Sequence, residues 1–125
     1  MNALHGLIAA HGLACFFGGA FLCNAIPHMV AGVMGEPFQT PFAKPSGVGL
    51  SSATVNVTWG FANLVIAYVL LACVSEFSLN AGGDVIAAGL GIFAMALFAA
   101  RTFGRLHGGD LKPARGTAQP EQERA

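Results

Sequence analysis

Charged side chains are scarce in this sequence. Asp, Glu, Lys and Arg make up 10% of the 125 residues, whereas hydrophobic residues make up 54%. Soluble domains contain about 25% charged residues, because a small globule has a large surface to cover with polar groups. Six acidic and six basic side chains cannot cover that surface. The composition therefore excludes an ordinary soluble domain and indicates an integral membrane protein.

Recognisable catalytic and cofactor motifs are missing as well. The sequence has no P-loop, no Gly-rich dinucleotide fingerprint, no H-E-x-x-H and no nucleophile elbow. Its three cysteines, Cys15, Cys23 and Cys73, form no C-x-x-C pair and lie in apolar runs, which is typical of buried packing cysteines. Five of the six Lys and Arg residues lie from Arg101 onward, so no basic face for nucleic acid is expected. We expect neither an enzyme nor a nucleic-acid partner.

What the sequence does contain is three long apolar runs, at about residues 3–26, 52–74 and 81–101. Roughly 20 residues of helix cross the hydrocarbon core of a bilayer, so each run predicts a transmembrane helix. A secretory signal peptide is the alternative for the first run, but no Lys or Arg precedes it. The predicted fold is all-α, with a three-transmembrane-helix bundle over residues 1–103 and a polar, disordered C-terminal tail over residues 104–125.

The connection between the first two runs, residues 34–51, is rich in proline and phenylalanine. Three prolines spaced by four residues exclude a helix there. Phe38 and Phe42 each follow one of these prolines, and a water-exposed linker rarely needs two such rings. The pattern predicts an interfacial loop whose aromatic rings reach into the headgroup region.

The distribution of positive charge predicts the orientation. With three spans, the first loop and the C-terminal tail share one side of the membrane, and that side holds all six Lys and Arg residues. The positive-inside rule then places the N-terminus outside and the tail in the cytoplasm. We expect a multi-pass protein of a cell membrane, the bacterial inner membrane in this interpretation.

The second helix carries a polar stripe. At 100° per residue, Asn56, Trp59, Gly60 and Asn63 fall within about 100° of the helix circumference. An asparagine facing hydrocarbon is costly, so these side chains are expected to face protein or water. The stripe is therefore either a helix–helix contact face or the lining of a polar pathway.

The first helix carries three polar side chains, His11, Asn24 and His28, and Pro27 is expected to bend it. Adjacent spans run antiparallel, which places Asn24 and His28 beside Asn56, and His11 beside Asn63. Together they form a predicted polar intramembrane cluster under the loop: His11, Asn24, His28, Asn56, Trp59 and Asn63.

A haem or metal site is not expected from these histidines. His11 and His28 lie on one helix, about 25 Å apart, so one chain cannot clamp a haem between them; a homodimer can pair a histidine with its symmetry mate. A metal site also needs a carboxylate or thiolate, and Glu36 in the loop is the only carboxylate near His28. No cofactor is predicted.

Small residues mark predicted packing faces. Gly82, Gly89 and Ala96 recur near heptad spacing on the third helix, and Gly60 lies on the second. Gly91 belongs to another smooth face of the third helix, so this helix is expected to touch two neighbours, one of which can belong to another subunit.

These features favour a non-enzymatic accessory or structural subunit that is embedded in the lipid bilayer. It is expected to act through helix–helix packing, as a homo-oligomer or within a larger membrane complex. The alternative is a small oligomeric transporter or channel that uses the Asn56/Asn63 stripe as its polar lining. A membrane enzyme with a site at the polar cluster comes third.

Overall fold

The computed structural model of the chain describes residues 2–111. Within that range, three helices are long and apolar enough to cross a membrane. They are α1 (Ala3–Val33), α2 (Ala53–Tyr68) and α3 (Gly82–His107), and α2 continues into a π-helical segment (Val69–Val74). The mostly helical architecture fits the multi-pass membrane protein expected from the three apolar runs.

Two of the helices are longer than the apolar runs. α1 passes through Pro27 and ends at Val33 rather than near Ile26. A proline removes one backbone hydrogen bond, and the remaining turns of α1 are held by packing on both neighbours. α3 ends at His107, where Gly108 adopts a left-handed conformation with φ of 75°. Residues 104–107, assigned to the tail from their composition, are thus helical, and the tail prediction for residues 112–125 lies outside the described residues.

α1 is the central helix. It packs along both α2 and α3, whereas α2 and α3 make few contacts with each other in the part of the chain that the structure describes. On the α2 side, a Cβ at Gly60 would lie 2.9 Å from the backbone nitrogen of Met29. Gly60, singled out from the sequence as a packing residue, therefore allows α2 to approach the backbone of α1 closely.

The α1–α3 contact also depends on glycine. A Cβ at Gly19 would overlap the backbone carbonyl of Ala88, and a Cβ at Gly91 would overlap that of Phe16. The face of α3 that contacts α1 is therefore the one carrying Ala88 and Gly91.

The Gly82, Gly89 and Ala96 strip faces away from α1. All three residues are exposed, and a Cβ on either glycine would meet no atom within 4 Å. Heptad spacing identifies a smooth face of a helix but not the direction in which it points, so the sequence could not say which face meets α1.

The loop between α1 and α2 contains a small antiparallel hairpin, which the all-α prediction did not include. Strands β1 (Phe38–Gln39) and β2 (Leu50–Ser51) pair with Phe38 opposite Ser51. Ser52 follows at the N-cap of α2, where its Oγ accepts from the backbone N–H of Val55 at 3.3 Å.

The two loop phenylalanines occupy different environments. Phe38 is partly buried, with its ring centroid 4.6 Å from that of Phe103 on α3. Phe42 is 63% exposed and lies edge-on to Trp59, with centroids 5.0 Å apart. Phe42 is thus the ring that remains available to an interface.

Candidate functional site

Asn56 organises the end of the molecule that carries the hairpin. Its Oδ1 accepts from Nδ1 of His28 at 2.9 Å, which joins α2 to α1. Its Nδ2 lies 3.0 to 3.1 Å from three backbone carbonyl oxygens, those of Phe38, Ser51 and Ser52. One buried amide therefore holds the first helix, the second helix and both strands of the hairpin in register.

Asn63 makes the second connection, about two turns further along α2. Its Oδ1 accepts from Nδ2 of Asn24 at 2.9 Å, and its own Nδ2 donates to the carbonyl of Trp59 at 2.7 Å. Asn56 and Asn63 are both 0% exposed. The stripe read from the sequence lies at the α1–α2 contact, with each amide hydrogen-bonded inside the chain.

The pairing differs in part from the one expected. His28 does pair with Asn56, but Asn24 bonds Asn63 rather than Asn56, and His11 bonds neither asparagine. Residue depth can be estimated from chain position, but the rotation of each helix about its axis cannot.

A cavity of about 290 Å³ adjoins this network, between α2 and α3 and beneath the hairpin. Its polar lining comes from the network and the hairpin, and its apolar lining mainly from α3: Asn24, His28, Gln39, Thr40, Trp59, Met95, Phe98 and Phe103. Within residues 2–111, the Nε1 of Trp59 is buried and has no hydrogen-bond partner. The hairpin is also tied to α3, because Oε1 of Gln39 lies 3.0 Å from Nε2 of His107.

His11 belongs to a second cluster at the opposite end of the helices. Its Nε2 lies 2.7 Å from Oδ1 of Asp84, the acidic residue in the first turn of α3. Sγ of Cys15, one turn further along α1, lies 3.8 Å from the same nitrogen. The other carboxylate oxygen of Asp84 accepts from the backbone N–H of Ser78 at 3.0 Å.

Sequence reasoning did not join these three residues. It treated Cys15 as a packing residue and did not include Asp84 in the predicted polar cluster. One signal was present: in a three-span protein, α1 and α3 run parallel, so the starts of both helices lie at one end. The spacing of His11 and Cys15, four residues apart, places both on one face.

The two ends offer different chemistry. At the hairpin end, the amides and the imidazole are hydrogen-bonded within the chain, which suits a structural role. The other end brings a nitrogen, a sulfur and an oxygen ligand atom within 4.8 Å of one another.

Comparison of this chain with protein-family models, curated proteins and solved structures gives no match.

Proposed function

We propose that this protein is a non-enzymatic membrane subunit that associates with a second copy of itself through the outward face of α3. The observation that supports the proposal is the direction of the Gly82, Gly89 and Ala96 strip. These small residues are exposed on the side of α3 opposite its contact with α1.

The shape of that face supports a close helix–helix contact. At 100° per residue, Phe93 lies within about 60° of Gly89 and Ala96, between them along the helix. Its side chain is 62% exposed. In lipid, association depends on shape complementarity because the tails are as apolar as the helix surface. A ring flanked by small residues offers both the projection and the hollows that two parallel copies of one face need when both chains have the same orientation in the membrane.

The alternative, an oligomeric channel lined by Asn56 and Asn63, has less support. Both amides are fully buried and bonded to groups of the same chain. If these amides lined a pathway, their hydrogen bonds would have to break. Each broken bond would leave a buried polar group unsatisfied, at a cost of about 1–3 kcal/mol. The geometry therefore favours packing as the role of the stripe.

The test compares two variants in which an alanine of α3 is replaced by leucine. Ala96→Leu fills a hollow in the proposed contact, whereas Ala94→Leu adds the same volume at an exposed position about 160° away. Overpacking costs about 1–3 kcal/mol, so we expect Ala96→Leu to weaken dimerisation about tenfold or more, and Ala94→Leu to leave it unchanged. Sedimentation velocity in a mild detergent measures the dimer fraction. A monomeric parent protein, or equal effects of the two substitutions, would contradict the proposal. Purification with a larger stoichiometric partner would also contradict it, because that partner and not a second copy would then cover the outward face of α3.

We further propose that the chain lies in the bacterial inner membrane with its N-terminus outside and its C-terminus in the cytoplasm. The positive-inside rule supports this orientation, because the first loop and the tail carry all six Lys and Arg residues. Reporter fusions after residues 2, 43, 78 and 115 test it. We expect cytoplasmic activity at 43 and 115 and external activity at 2 and 78, and the reverse pattern would overturn the orientation.

A further inference from the structure

The cluster of His11, Cys15 and Asp84 joins the starts of α1 and α3. His11 and Cys15 lie one turn apart on α1 and face α3, and Asp84 lies in the first turn of α3. Their ligand atoms all lie within 4.8 Å of one another. We propose that these three residues bind a divalent transition-metal ion of the zinc type.

The donor set suits such an ion. Zn²⁺ takes imidazole nitrogen, thiolate sulfur and carboxylate oxygen at about 2.0–2.3 Å, so the ligand atoms of a tetrahedral site lie about 3.3–3.8 Å apart. Nε2 of His11 is already 3.8 Å from Sγ of Cys15, and it is 2.7 Å from Oδ1 of Asp84. Small side-chain rotations that separate His11 from Asp84 complete the geometry, since the backbones of the two helices already place all three groups together.

The charges of the ligands also fit. When the metal binds, Cys15 releases its thiol proton to the medium, and the resulting thiolate and the Asp84 carboxylate together balance the double charge of the ion. Cys15 is fully buried and Asp84 is 9% exposed. A neutral assembly is much less costly at such a place than an unpaired charge.

Two further features match a metal site. The Ser78 N–H holds Oδ2 of Asp84, which orients the carboxylate and leaves Oδ1 for the ion. The His11 side chain is 43% exposed, so the helices do not enclose the site completely. Three protein ligands leave one position of a tetrahedral ion free for water or for a small exogenous ligand.

Cobalt(II) is the probe, because a cobalt–thiolate bond gives a charge-transfer absorption that a cobalt–imidazole or cobalt–carboxylate bond does not. The full-length protein is purified in mild detergent, treated with a chelator and titrated with Co²⁺. We expect one Co²⁺ per chain, a thiolate charge-transfer band and displacement of the cobalt by Zn²⁺. Cys15→Ser should abolish the band, and His11→Ala and Asp84→Asn should each weaken Co²⁺ binding at least tenfold.

A second variant is needed because the band would also be lost if Cys15→Ser failed to fold. The double substitution Cys23→Ser and Cys73→Ser leaves Cys15 as the sole thiol of the chain. We expect this variant to keep the band and the stoichiometry of the parent. Absence of the band in the parent or in this double variant overturns the proposal, and so does persistence of the band in a folded Cys15→Ser protein.

Discussion

At the scale of single residues, Asn56 is the side chain on which most of the hairpin end depends. Its amide meets one imidazole and three backbone carbonyls from different segments. A leucine of similar volume fills the space but offers none of these bonds. Asn63 has fewer partners, one side chain and one carbonyl.

We therefore predict graded losses of stability. Asn63→Leu should lower the free energy of unfolding by about 1–3 kcal/mol, because Nδ2 of the partly buried Asn24 loses its acceptor. Asn56→Leu should lower it further, because His28 and the hairpin carbonyls lose their partner together. Val65→Leu, on an exposed part of α2, is the matched control and should change little. Thermal unfolding in detergent compares the three, and asparagine variants as stable as the parent would show that the stripe does not hold α1 to α2.

Val57 shows what residue-level sequence reasoning could not supply. It lies about 100° from Asn56 and thus off the polar stripe, where an apolar side chain can meet lipid, yet a Cβ at Gly32 of α1 would lie 2.6 Å from its Cγ2. A valine looks the same in sequence whether it meets lipid or a neighbouring helix, because both are apolar. Asparagine is more informative, since hydrocarbon excludes it and a partner can be expected.

At the scale of elements, long apolar runs were sufficient to predict three helices that are long and apolar enough to cross a membrane, where a helix satisfies its backbone groups without water. The ends were less predictable. α1 continues past Pro27, and α3 continues to the glycine cap at Gly108, through residues whose composition resembles a tail. The hairpin was missed because two-residue strands carry no detectable alternation of polar and apolar residues.

Glycines provide a sharp test of helix packing. Gly12 and Gly19 lie seven residues apart on α1, and thus on nearly the same face. A Cβ at Gly19 would overlap a backbone carbonyl of α3, whereas a Cβ at Gly12 meets nothing within 4 Å. Gly19→Ala should destabilise the protein by about 1–3 kcal/mol through overpacking. Gly12→Ala should be neutral or stabilising by up to about 1 kcal/mol, since alanine favours helix.

The free energy of unfolding measured by titration with a denaturing detergent compares the two variants. Equal stability of Gly19→Ala and Gly12→Ala would mean that α1 and α3 do not approach as closely as the structure has them.

At the scale of the whole molecule, the two polar clusters lie at opposite ends of α1. His11 connects α1 to α3 at one end, and His28 connects it to α2 at the other. The cavity beneath the hairpin lies where α2 and α3 face each other with few direct contacts. The sequence placed all of these polar residues in one cluster, because chain position does not reveal that His11 turns towards α3.

The central position of α1 has a consequence for the order in which the protein is made. α1 and α2 leave the ribosome before α3, and the bonds from Asn24 and His28 to α2 involve no residue of α3. At about 5–20 residues per second, synthesis of α3, which has 26 residues, takes roughly 1 to 5 s. During that time α1 and α2 can already form a hydrogen-bonded pair in the bilayer. α3 then packs against an α1–α2 pair that has already formed. The side chains of Asn56 and Asn63 therefore have their hydrogen-bond partners on α1 before α3 is inserted.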